Sequence, residues 1–223
     1  MKKIALGLML LVSFSVAKAN SLSIIAPTGP FSIKGYDGQP ANVTGVKKYG
    51  TAGTLSAGTA GTISFTYLGN ESGYLDSFKF NVGGSSLTES NPLGTTISKV
   101  IGAGSVGFSF MDDVNKDGTV DHTFSNGSTS SGAFGYAFLM NSKSVFAHNA
   151  KIGNTSYIFD YILGFNDSYI TSAYSRLGDA DYDDYVVGVK FTPTPSAVPL
   201  PAAAWLFGSA LFGFISLSNR RKI

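Results

Sequence analysis

The chain has no cysteine. That excludes disulfide staples, thiolate metal sites, a cysteine nucleophile and a lipid-modified N-terminal cysteine. Charge is also scarce, at 13% of residues, and histidine and glutamate are nearly absent: His122, His148, Glu71 and Glu89 are all there is. Without an H-E-x-x-H pair or a G-x-S-x-G elbow, the common metalloprotease and serine-hydrolase constellations are missing. Paired aspartates can cleave a glycosidic bond, but only across a cleft that holds them several ångströms apart, and spacing alone supplies no cleft. An excess of positive charge is lacking too. Six of the 16 basic residues lie in the two terminal segments, which leaves ten against 14 acidic residues in the middle, a net charge of −4. This excludes a nucleic-acid surface.

The two ends hold the apolar runs. Lys2 and Lys3 precede an apolar stretch from Ile4 to about Val16, and Ala17 and Ala19 flank Lys18. Residues 1–19 therefore read as a cleaved secretory signal, with the mature chain starting at Asn20. The stretch falls short of the ~20 residues that a membrane-crossing helix needs. At the other end "TPTPSA" (192–197) reads as an extended proline linker. The 16 residues from Ala202 to Leu217 are mostly small or apolar. As a helix they would span about 24 Å, a marginal match to a hydrocarbon core of roughly 30 Å. Arg220, Arg221 and Lys222 then belong on the cytoplasmic side. A single transmembrane helix with the domain outside is the expected topology.

Between these ends, residues 20–191 are rich in Gly, Ser, Thr, Phe and Tyr. Alternating runs recur: Ile63, Phe65 and Tyr67; Phe78, Phe80 and Val82; Val106, Phe108 and Phe110. Further along come Phe134, Tyr136, Phe138 and Met140, then Tyr157 through Phe165, then Val187, Val189 and Phe191. Alternation places one set of side chains on a buried strand face. Turn clusters such as "NESG", "VGGSS", "NKDG" and "GFNDS" separate the runs. The expected fold is all-β, one antiparallel β-sandwich of eight to ten strands. "TAGTLSAGTAGT" (51–62) reads as a flexible loop or ragged edge. "GAGSVG" (102–107) fits G-x-G-x-x-G, but a strand follows it where a dinucleotide site requires a helix.

Two acidic clusters stand out. "LGDADYDDYVV" crowds Asp179, Asp181, Asp183 and Asp184 just before the last strand. Four carboxylates so close repel one another, and either solvation or a hard cation with oxygen ligands relieves the repulsion. In "DDVNKDGTVD", Asp113, Asn115, Asp117, Thr119 (through its carbonyl) and Asp121 fall at calcium-ligand spacing, with Gly118 at the sharp turn. Phe124 stands where such a loop carries its bidentate glutamate, and a plain Asp/Asn/Gly hairpin explains the same residues. Calcium is thus the one candidate cofactor. Tyr169, Tyr174, Tyr182 and Tyr185 near the first cluster offer either stacking area for a carbohydrate or core packing.

The tail carries a resemblance. "VPLPAAAWLFGSALFGF" followed by "RRK" resembles the VPLPA-type variant of PEP-CTERM sorting signals of Gram-negative bacteria, over residues 198–223. Leu200 stands where the wider family has an acidic residue. The resemblance implies that a membrane-embedded exosortase reads the tail and cleaves near Val198, Pro199, Leu200 and Pro201. "FTYLGNESGYLDSFKF" (65–80) and "DYDDYVVGV" are similar to segments of β-rich ectodomains that carry such tails. The implied protein is exported and non-enzymatic. Its precursor is held in the inner membrane, and its mature form lies at the cell surface or in exopolysaccharide and biofilm material. A calcium-dependent carbohydrate-binding or adhesive module is the alternative, and an extracellular glycan hydrolase the third reading.

Overall fold

The computed structural model describes residues 22–33, 49–128, 134–167, 181–195 and 202–219, the side chains of 202–205 and 216–219 excepted. The signal segment 1–19, with Ala17 and Ala19, lies outside the described residues, as do Asp179, Tyr169, Tyr174, Val198–Pro201 and the terminal basic residues.

The alternating runs form antiparallel strands. The largest sheet has the order β2 (Phe31–Ser32), β3 (Tyr49–Thr51), β12 (Gly135–Ser142), β16 (Tyr161–Asn166), β17 (Tyr185–Pro193), β5 (Gly61–Gly69) and β8 (Thr96–Ile101), with β13 (Val145–Phe146) returning along β12. A second sheet runs β11 (His122–Ser125), β10 (Phe108–Asp113), β6 (Leu75–Phe80) and β7 (Ser85–Thr88). A third joins β1 (Leu22–Ile25), β4 (Thr54–Ala57) and β9 (Gly104–Ser105), and β14 (Asn149–Ile152) pairs with β15 (Thr155–Ile158).

The first two sheets meet in a sandwich-like manner through aromatic rings. Phe65 of β5 packs on Phe78 of β6 with ring centroids 4.7 Å apart. Phe110 of β10 stacks on Phe165 of β16 at 5.2 Å, nearly parallel at 9°. Both members of each pair are fully buried. Rings of this size bury much apolar area and gain further from offset or edge contacts, so they dominate the cohesion between the layers.

The large sheet is covered on its other face as well. Ala137, Leu139, Ile162 and Val186 point away from the aromatic core into a second cluster with Ile33, Ala147, Phe159 and Tyr182. This explains why β12, β16 and β17 are buried along almost their whole length. The alternation there is between two faces that are both dry.

Several expectations are corrected. The described residues hold 17 strands where eight to ten were expected, because edges break into pieces of two to four residues. Val82 opens an exposed 3-10 turn (Val82–Gly84) and is not a strand residue, since Gly83 there has φ of 75°. The run from Tyr157 to Phe165 is two strands, β15 and β16, divided at Phe159 and Asp160. The segment 51–62 is not a loop. It contains β4, the start of β5 and the fully buried Leu55.

The chain divides into two compact units, residues 1–193 and 194–223. The last strand runs to Pro193, which pairs with Gly61, so it extends two residues into the segment read as linker. In the second unit α1 (Ala202–Asn219) is an 18-residue helix, about 27 Å long at ~1.5 Å per residue. Among the described residues no helix is long and apolar enough to cross a membrane. The helix is two residues longer than the Ala202–Leu217 span expected from the sequence.

Candidate metal centre

Three strand ends and one connection converge on one end of the large sheet. β16 ends at Asn166, followed by Asp167. β17 begins beside it, with Phe165 opposite Tyr185. β5 ends at Gly69 opposite Val186, and its connection to β6 carries Glu71 and Ser72. The register of the sheet therefore gathers Glu71, Asp76, Asp167, Asp181, Asp183 and Asp184, which lie more than a hundred residues apart at the extremes.

Glu71, Asp181 and Asp183 each bring a carboxylate oxygen within 4.8 Å of the other two. Glu71 is exposed, whereas Asp181 is 3% and Asp183 0% exposed. Neither carboxylate oxygen of Asp183 meets a hydrogen-bond donor. Burial, followed by the adjacent Asp181, pushes the Asp183 pKa well up, with Glu71 and Asp184 acting in the same direction. Buried carboxylates cannot all ionise side by side unless a cation joins them.

Asp184 turns the other way. Its Oδ2 accepts the Asp167 backbone N–H at 2.7 Å. The Ser72 hydroxyl donates to Asp167 Oδ2, and Ser72 Oγ accepts from the Tyr74 N–H at 2.8 Å. Asp76 faces this group, 2% exposed, with neither carboxylate oxygen bonded to a donor. Ser72 lies near enough to lower the Asp76 pKa slightly, but its proton is committed to Asp167. Desolvation and the Asp167 charge prevail and raise it strongly. Desolvation and Asp167 raise Asp184 in the same way. The Asp76 backbone N–H donates to Glu89 Oε1 at 2.9 Å, which anchors β6 but leaves its side chain bare.

The approach to β17 is held by packing. Tyr182, between the two aspartates, has φ of 64° and a fully buried ring 5.5 Å from that of Phe31. A left-handed tyrosine costs of order 1–3 kcal/mol and persists only where its surroundings demand it. Gly164 of β16 is one of those surroundings: a Cβ there would lie 2.1 Å from the Tyr182 carbonyl oxygen.

The second acidic cluster is a hairpin turn between β10 and β11. Asp113 accepts the N–H groups of Asp117 and Gly118 at 3.1 and 2.8 Å. Asn115 accepts from the Asp117 N–H, Asp117 from Thr119, and Asp121 from Val114. Hydrogen bonds from Thr119 lower the pKa of the exposed Asp117. The five predicted residues thus share one turn, and the side-chain oxygens of Asp113, Asn115, Asp117 and Asp121 are turned to backbone amides. Among the described residues, Glu71, Asp181 and Asp183 are the three carboxylates that converge as metal ligands do.

The predicted cluster 179–184 is accordingly divided. Asp181 and Asp183 stand together, Asp184 joins Asp167 and Asp76, and Asp179 lies outside the described residues. Tyr182 and Tyr185 are buried in the core, so neither forms an exposed stacking surface. Glu71, Asp76 and Asp167 were missed as site residues. Glu71 and Asp167 each sit singly in a turn-like segment ("NESG", "FNDS") and Asp76 singly in β6, and only strand register unites them. A cleft of about 410 Å³ opens beside this region, lined by Asp76, Glu89, Asp112 and Asp113. Asp112 pairs across the strands with His122, whose Nδ1 lies 2.9 Å from Asp112 Oδ1. Burial raises the Asp112 pKa, and His122 opposes that rise.

No protein-family model, no curated protein and no solved structure matches the chain.

Proposed function

We propose that this is an exported, non-enzymatic surface or matrix protein whose C-terminal tail is a sorting signal cleaved by an exosortase. One observation carries the reading: a separate terminal unit in which the proline motif 198–201, the apolar helix α1 and the basic residues Arg220, Arg221 and Lys222 follow in order. Leu206, Phe207, Leu211, Phe212, Phe214 and Ile215 of that helix are exposed. At 100° per residue they cover about two-thirds of its circumference, leaving a stripe with Ser209 and Gly213, a coverage that suits lipid or a membrane enzyme better than water. Too short to cross a bilayer comfortably, the helix suits temporary retention in the inner membrane more than permanent anchoring. Intact-mass measurement of the protein recovered outside the cell tests this. The expected mass lacks residues 1–19 and the chain beyond the proline motif. Recovery of a form that retains Trp205 and the terminal arginines refutes it.

A second reading is a calcium-dependent adhesive or carbohydrate-binding module. The acidic cleft beside Asp76 and Glu89 favours it, since polar clefts with a few convergent carboxylates are common ligand sites. A glycan array probed with calcium and with chelator distinguishes the two, because the first reading requires no glycan capture.

A further inference from the structure

Asp183 poses a physical problem. It is fully buried, and neither of its carboxylate oxygens meets a hydrogen-bond donor. Buried polar groups are almost always paired, and an unpaired buried carboxylate is costly. The side chains facing Asp183 deepen the cost, for they are Asp181 and Glu71. Such a wall of acceptors is explained by something that accepts none and attracts all.

The geometry fits one ion. The three ligand oxygens lie within 4.8 Å of one another. Two oxygens on opposite sides of a calcium ion stand about 4.6–5.2 Å apart, twice its ~2.3–2.6 Å bond length, so all three can touch the same ion. The donors are carboxylate oxygens alone, which favours a hard cation over zinc or copper. Glu71 is exposed. It leaves an open side for the waters that complete a coordination of six to eight.

We propose that Glu71, Asp181 and Asp183 form a calcium site that ties the β5–β6 connection to the approach of β17. The site stands whether or not the tail is a sorting signal. Bound, the ion neutralises the cluster and fixes two long-range segments to each other. It stabilises the folded chain in proportion to the logarithm of free calcium above its dissociation constant.

The test uses the full chain, stripped with chelator, in calorimetric titration with calcium chloride and in thermal melts with and without about 10 mM calcium, above the ~10⁻⁴–10⁻³ M range of extracellular calcium modules. The expected result is calcium binding accompanied by a rise in melting temperature. Asp183→Asn and Glu71→Gln should each weaken binding at least ten-fold and shrink that rise. Asp183→Asn should also melt higher than the unsubstituted chain in chelator, because an amide has no charge to give up on burial beside Asp181. Should Asp183→Asn fail to fold, the exposed Glu71→Gln still decides the matter. Absence of binding by the unsubstituted chain, unaltered binding by both variants, or magnesium binding as tight as calcium overturns the proposal.

Discussion

At the scale of single residues, Asp76 makes the stability of the chain depend on pH in an unusual direction. Its carboxyl is pushed up from 3.8 to about 9 by burial and by Asp167. The folded state therefore keeps a proton that the unfolded chain releases, so stability is greatest below the unfolded value and is lost as pH rises toward the folded one. In chelator, the urea midpoint should be lower at pH 8 than at pH 5, and Asp76→Asn should flatten that difference. Gly164 gives a second test. Its substitution by alanine drives a methyl into the Tyr182 carbonyl, 2.1 Å from the new carbon. Overpacking against backbone should cost roughly 2–3 kcal/mol in denaturant unfolding. The same substitution displaces the aspartates on either side of Tyr182, so calcium affinity should fall with it.

At the scale of elements, short strands are held by side chains that imitate backbone. Asn126, just past β11, accepts the Leu55 N–H at 2.8 Å and donates to the carbonyls of Leu55 and Val106 at 2.8 and 2.7 Å. It thereby closes β4 and the turn after β9 onto the second sheet. Asn126→Ala removes the partner of the Leu55 N–H and of the Val106 carbonyl, while the Leu55 carbonyl keeps the Val106 N–H; it should cost about 1–3 kcal/mol, with faster amide exchange at Leu55 as the local signature. The aromatic layer offers the larger effect. Phe110 touches Phe78, Tyr136 and Phe165, so it joins both sheets. Phe110→Ala should destabilise by about 3–5 kcal/mol, more than any cap or turn change, as read from the same urea midpoint. Strands with strong alternation, such as β5, β6 and β10, were legible from sequence. β12 and β17 were legible as strands but not as strands buried on both faces, because Ala137, Val186 and Gly188 look equally suited to a wet face.

At the scale of the whole molecule, cohesion resides in residues 1–193. Chain cleaved after the proline motif should unfold at the same denaturant concentration as the uncleaved chain, because the aromatic core that stabilises the domain lies entirely within residues 1–193. A lower midpoint on cleavage would show that the tail contributes to folding. Under the proposed calcium site, the acidic end of the domain should instead respond to calcium, and the melting temperature with it.

Sequence alone determined the β class and the aromatic core, because both are written in local order: period-2 alternation acts over a few neighbouring residues. It also marked Asp181 and Asp183, though as members of one loop with Asp184. Only the tertiary structure decided that Asp184 belongs with Asp167 and Asp76, that Glu71 completes the other group, and that the hairpin aspartates turn to backbone amides. The reason is geometric. Sheet register brings together residues separated by a hundred positions or more, and the direction of each carboxylate is set by the backbone beneath it, which a linear pattern does not carry.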